Sequence, residues 1–147
     1  MISKKNLKDL ASKRFLDAKA LFEKGRYQGC VYIAGYTIEL LLKYNICRIF
    51  GFSRGFPESK SEFDSYSFKI KKTFQNASSI KKFKMHDFIK LLEICGKEYD
   101  VKAEALFEWF ELLAWSPEMR YLNRKLNKKD AEKFLNSVNK IRSILLK

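Results

Sequence analysis

The sequence predicts an all-α fold, an antiparallel up-and-down bundle of about five helices. Three observations carry that reading. Apolar residues recur at steps of three and four in five separate segments; no stretch alternates apolar and polar residues between turn dipeptides; and breakers are few, two Pro and six Gly in 147 residues. Thirteen Phe and seven Tyr supply the apolar area that a chain with 32% charged residues needs in order to fold, and the length suits one domain over 1–147.

The first helix is expected over Leu7 to Lys24, where Leu7, Leu10, Ala11, Phe15, Ala18, Leu21 and Phe22 share a face and Gly25 follows as a stop. A central helix is expected from Gln28 to about Phe50. Its apolar residues, Val31, Ile33, Ala34, Ile38, Leu41, Leu42, Ile46 and Ile49, cover more than one stripe, so it should pack on several sides, with Gly35 as its weak point. Tyr32, Tyr36, Glu39 and Lys43 form a separate amphipathic strip on it, suited to a groove or to a subunit contact.

Periodicity breaks down between Gly51 and Lys84, which reads as an irregular insertion with at most a short helix around Ile70 to Phe74. Its second half carries Lys69, Lys71, Lys72, Lys81, Lys82 and Lys84 among Phe68, Ile70, Phe74, Ile80 and Phe83, with no acid from residue 69 to 84. Ammonium groups neutralise phosphates and rings accept bases, so single-stranded nucleic acid is one reading of this stretch. Docking onto a larger protein and a merely solvated face are the others.

Helical order returns at Asp87 to Cys95, closed by Gly96, and again at about Val101 to Ala114, where Ala105, Leu106, Trp109, Phe110, Leu112 and Leu113 make a broad apolar stripe. Ser116 and Pro117 read as an N-cap and a first-turn proline opening a fresh helical segment. The last helix, with Phe134, Val138, Ile141 and Leu145 in register and Asn127 and Asp130 as capping candidates, runs nearly to Lys147. Residues 98–118 hold six acids and one Lys, and residues 120–147 nine bases and two acids. An acidic and a basic helix should therefore pair, within the chain or across two chains.

Composition removes whole classes of chemistry. With His86 as the single histidine, no site needing two imidazoles can form, and the Gly-rich phosphate loops and the GxSxG elbow are absent, so neither a metal nor a cofactor is expected. Cys30, Cys47 and Cys95 are odd in number and lie in apolar surroundings, as buried thiols do. No apolar run reaches the eighteen or so residues of a membrane span, and the Lys-dotted start lacks a signal-peptide core; a cytoplasmic protein is expected. A net charge of +13 favours anionic partners.

Two strings then carry a resemblance: Leu10 to Leu21 followed by Gly25-Arg26-Tyr27, and Val31-Tyr32-Ile33-Ala34-Gly35-Tyr36-Thr37-Ile38-Glu39-Leu40-Leu41-Leu42-Lys43. With Met85-His86-Asp87-Phe88, and Trp115 ahead of Arg120-Tyr121, the chain outside the insertion resembles the HEPN family, the higher-eukaryote and prokaryote nucleotide-binding helical domains. The resemblance implies four long helices plus a short one, usually paired as a homodimer, with roles in RNA cleavage, toxin–antitoxin pairs, phage defence and CRISPR-linked systems. Ribonuclease members build a composite site at the dimer seam from an Arg followed, after four to six residues, by a His. Arg120 stands in the arginine place, but the histidine places hold Lys125, Leu126 and Asn127.

Without that imidazole the expected general acid/base is missing. The implied role is therefore a noncatalytic accessory or regulatory subunit in prokaryotic nucleic-acid defence. It would bridge or stabilise a larger nuclease, including an RNA-guided one, or bind RNA or DNA through Lys69, Lys71, Lys72, Lys81, Lys82, Lys84, Arg120, Arg124 and Lys125. The alternatives are a toxin-like, metal-independent endoribonuclease using Arg120, Tyr121, Lys125 and His86, and a nucleotide-binding partner of a nucleotidyltransferase. His86 otherwise reads as a capping or packing residue. Arg120, Tyr121 and Trp115 would form a phosphate pocket, with Glu39 pairing Arg120 across it, or else Trp115 is core.

Overall fold

The computed structural model describes residues 1–78, 85–123 and 125–147. It contains seven α-helices among them: α1 (Lys4–Glu23), α2 (Tyr27–Phe50), α3 (Lys60–Asp64), α4 (Phe68–Ala77), α5 (Phe88–Ile94), α6 (Glu98–Leu112) and α7 (Lys128–Leu146), with a 3-10 turn at Pro117–Tyr121 ahead of α7. No β-strand is present among the described residues; one isolated bridge joins Ile2 and Phe56.

Local chemistry sets most helix starts. The side chains of Ser3, Ser59, Ser67, Asp87 and Asn127 each accept the backbone N–H three residues on, which supplies one of the orphan donors of a helix N-terminus. Ser116 departs from its expected role. It makes no side-chain cap, and Pro117 opens a single 3-10 turn of five residues rather than an α-helix. At the other end of α2, Gly51 takes the left-handed conformation that closes the helix, with its N–H on the Cys47 carbonyl.

Helix α2 is the centre of the molecule. Its buried residues face nearly all round, from Cys30 through Ile38 and Leu42 to Phe50, as the wide apolar coverage predicts. Lys8 over the Tyr44 ring and Phe22 beside Tyr27 show α1 and α2 running antiparallel. Helix α7 lies parallel to α2: Val31 and Phe134 line one cavity, and Asn45 near the other end donates to the Leu145 carbonyl at 2.9 Å. Helices α6 and α7 run antiparallel and are laced by Glu104–Lys147, Glu108–Lys140 and Glu111–Lys133. The acidic and basic helices thus pair within one chain.

The expected count of about five helices is too low because the described part of the insertion, residues 51–78, carries two helices. Phe52, Phe63, Tyr66 and Phe74 gather with Phe50 of α2 into an aromatic cluster with ring centroids 4.8–6.3 Å apart. This cluster fixes α3 and α4 against the end of α2. Its members sit at irregular spacings, so no helical period announces it.

Candidate functional site

The polar strip on α2 runs through an otherwise apolar helix, and burial of a charge requires a partner. Glu39 is 3% exposed and has two. Lys43, one turn on, donates from Nζ to Oε1 at 2.8 Å, and the Nδ1–H of His86 donates to Oε2 at 2.8 Å. The Lys43 ammonium also lies 5.4 Å from the Phe56 ring centroid. His86 precedes α5, where Asp87 caps the helix through the Lys90 N–H, so His86 is the ring directed at α2 while its neighbour does the capping. With Nδ1 committed to a carboxylate, the neutral ring presents Nε2 as its acceptor. The imidazole side chain remains 37% exposed.

Arg120 arrives from the 3-10 turn. Its guanidinium is held against the Tyr32 hydroxyl, which raises its pKa above the ordinary value, and its carbon lies 4.7 Å from the Tyr121 ring centroid. The Tyr32 and Tyr36 hydroxyls are 3.1 Å apart. Burial first, and then the hydrogen bond with Tyr32, push the Tyr36 phenol up; the neighbouring Glu39 adds to the rise and Arg120 opposes it. Glu118, next to Arg120, is held below the usual carboxylate range by its own backbone N–H and the Ser116 hydroxyl, with His86 and Arg120 both contributing charge. Tyr32, Tyr36, Glu39, His86, Glu118 and Arg120, from α2, the start of α5 and the 3-10 turn, therefore form one polar cluster, with Glu118 and Arg120 exposed at its outer side.

Two side chains place that turn. Gln28 donates to the carbonyls of Leu122 (2.5 Å) and Met119 (3.4 Å), and the Trp115 indole donates to the Tyr32 carbonyl at 3.0 Å. Trp115 is 5% exposed, stacked on Phe88 and edge-on to Tyr36. It is a wall of the site and not an open stacking surface, so of the two readings of Trp115 the core one holds. Gly35 is what admits it: a Cβ there would stand 2.2 Å from the indole. The expected weak point of α2 is the clearance for its closest neighbour.

The pairing of Glu39 with Arg120 is not observed, since Lys43 and His86 take both carboxylate oxygens and Arg120 turns to Tyr32 and Tyr121 instead. Lys125 is not in this cluster. It lines a groove with Arg26, Tyr27, Gln28 and Leu126, beside the α1–α2 turn. Lys69, Lys71 and Lys72 lie on α4, at the far end of α2; the eighteen residues from Tyr32 to Phe50 place the two regions on the order of 25 Å apart along the helix axis. There Lys71 reaches the Asp64 carbonyl at 3.3 Å, and Lys72 sits over the exposed Phe68 ring. Lys81, Lys82, Lys84 and Arg124 fall outside the described residues.

The sequence placed Glu39 on the amphipathic strip of α2 with Tyr32, Tyr36 and Lys43; its contact with His86, 47 residues away, carried no local mark. Glu118 had none either. Among the described residues no three His, Cys, Asp or Glu side chains are grouped to hold a metal, and no helix is long and apolar enough to cross a membrane. No protein-family model, curated protein or solved structure matches the chain.

Proposed function

We propose that this chain is a HEPN-like accessory or regulatory protein of prokaryotic nucleic-acid defence, acting as a homodimer in the cytoplasm and recognising a phosphate of RNA or DNA at the polar cluster between α2, α5 and the 3-10 turn. The observation that carries this reading is the clustering of the Arg120 guanidinium, the His86 imidazole and the tyrosine hydroxyls at one partly exposed place on the surface. A guanidinium offers forked donors to phosphate oxygens, and hydroxyls and an imidazole complete such a shell. The basic stretch on α4, with exposed Phe68, gives a second contact for a strand that spans the molecule.

One feature favours a second reading, metal-independent RNA cleavage. A buried carboxylate orienting an imidazole is the arrangement of a general base, here able to take a 2′-hydroxyl proton at Nε2 so that the oxygen attacks phosphorus. The leaving 5′ oxygen then needs a proton. Tyr36 holds its proton more tightly than an ordinary phenol and is a poor donor, so the cluster supplies a base without a matched acid. That ranks recognition ahead of cleavage.

Fluorescence anisotropy with a labelled single-stranded RNA and a DNA of the same sequence, in EDTA and over a salt series, tests both readings. Binding that weakens about tenfold or more with Arg120→Ala, and by less with Lys125→Ala, supports the cluster. Equal losses in the two variants would place recognition elsewhere. RNA cleavage in EDTA that disappears in His86→Ala would replace the first reading by the second.

A further inference from the structure

A groove of about 790 Å³ opens beside the turn between α1 and α2, within the size range of ligand sites. Its lining is of two kinds. Leu21, Leu126 and the ring of Tyr27 are apolar, and Phe22 backs that ring at a centroid distance of 5.6 Å. Arg26 and Lys125 are cationic and exposed, and no acid lines the groove. Lysines elsewhere on the surface, such as Lys102, Lys133 and Lys140, are matched by carboxylates. Among the described residues neither Arg26 nor Lys125 has an ion-pair partner.

Two unpaired cations beside an apolar, aromatic wall suit a ligand that is anionic at one end and flat at the other. A nucleotide has that form: cations neutralise its phosphate while its base stacks on a ring. Position adds a second argument. Gln28 lines the groove, and its amide holds the carbonyls of Met119 and Leu122, on either side of Arg120. Tyr32, whose hydroxyl meets the Arg120 guanidinium, follows Gln28 by one turn of α2, a rise of ~6 Å. Successive charges of a strand are ~3.4 Å apart along a duplex, so the groove begins within about two nucleotides of a phosphate at Arg120.

We infer, on the reading that Arg120 holds a phosphate, that this groove is the subsite for a neighbouring nucleotide of the same single strand. The base packs on Tyr27, Leu21 and Leu126, and its phosphate is met by Arg26 and Lys125.

Isothermal titration calorimetry of the full chain tests this with a single-stranded octanucleotide, as RNA and as DNA, and with abasic chains of the same length and charge. Tyr27→Leu should weaken the octanucleotide about tenfold and leave the abasic chain unchanged, because only a base can stack. Arg26→Gln/Lys125→Gln changes two exposed side chains and covers the case of a misfolded Tyr27 variant. It should weaken both chains and lower the salt slope by about 0.7 or more, one phosphate's share on a single strand. If Arg120→Ala weakens binding while the groove variants keep wild-type affinity and salt slope, the subsite is overturned and the phosphate at Arg120 stands. If the groove variants weaken binding and Arg120→Ala does not, the phosphate at Arg120 is overturned while the groove still holds a nucleotide. Equal losses on the normal and abasic chains with Tyr27→Leu would mark a ring that serves folding alone and overturn the base contact. A wild type that binds neither chain at about 100 µM overturns both.

Discussion

Replacing Gly35 by alanine in the middle of a helix ordinarily stabilises a protein by up to ~1 kcal/mol. Here the sign should reverse. The added Cβ would stand 2.2 Å from Cε2 and Nε1 of Trp115 and 2.4 Å from Cδ1, more than an ångström inside ordinary contact. The indole cannot yield cheaply. Phe88 covers one face at a centroid distance of 4.9 Å and 12°, Tyr36 meets it edge-on at 5.0 Å, and its N–H is spent on the Tyr32 carbonyl. Expelling the ring forfeits up to the ~3–5 kcal/mol that loss of a buried aromatic costs; with the propensity gain subtracted, Gly35→Ala should lose about 2–4 kcal/mol. At ~2–4 °C per kcal/mol for a domain of this size, the melting temperature should fall by roughly 5–15 °C. Gly29→Ala is the internal control. It sits in the same helix, its Cβ would meet only the Leu21 methyls at 3.6 and 3.8 Å, and it should gain up to ~1 kcal/mol. Urea unfolding followed by circular dichroism measures both. If Gly35→Ala matched or exceeded the parent in midpoint, the indole would not be wedged as described.

Asn45 donates from Nδ2 to the carbonyls of Leu41 (3.0 Å) and Leu145 (2.9 Å), the second in the last turn of α7; Asn45→Ala should cost ~1–3 kcal/mol in urea, and hydrogen exchange should show the loss concentrated at the end of α7. Burial pushes the thiols of Cys30 and Cys95 up to about 11 and that of Cys47 to about 12, from an ordinary value of 9.0. A group whose folded pKa is raised favours folding fully below its unfolded pKa, and that contribution is lost as pH rises; unfolding midpoints should therefore decline from about pH 9 upward. At pH 8 a thiol-exchange reagent should titrate three cysteines in denaturant and react with the native chain only as fast as it opens.

Much of the fold was legible because its period is local. Leu7, Ala11 and Ala18 mark α1, and Phe134, Val138, Ile141 and Leu145 mark α7, at spacings that need no knowledge of what they pack against. Phe52, Phe63 and Phe74 were unreadable as structure for the opposite reason: what orders α3 and α4 is a cluster of rings brought in from separate turns. The site divides the same way. The strip from Tyr32 to Lys43 lay on one helix and could be read by counting. Glu39 with His86, and Trp115 against Gly35, are meetings between distant segments, and only the resemblance placed His86 and Arg120 in one functional context. Acids on α6 and bases on α7 advertised a pairing by composition, yet sequence left open whether it closed within a chain or between two.

The Glu39 carboxylate has consequences for how mutants of this protein are read. It answers to two partners at once, an ammonium sealed beside it and the N–H of a half-exposed imidazole. Deleting the carboxylate strands Lys43 as an uncompensated positive charge in the interior, an injury to folding that would masquerade as loss of activity. Glu39→Ala is thus a poor probe of chemistry. Pairing it with Lys43→Met removes both buried charges together, and whatever defect survives in that double variant belongs to the histidine's orientation alone.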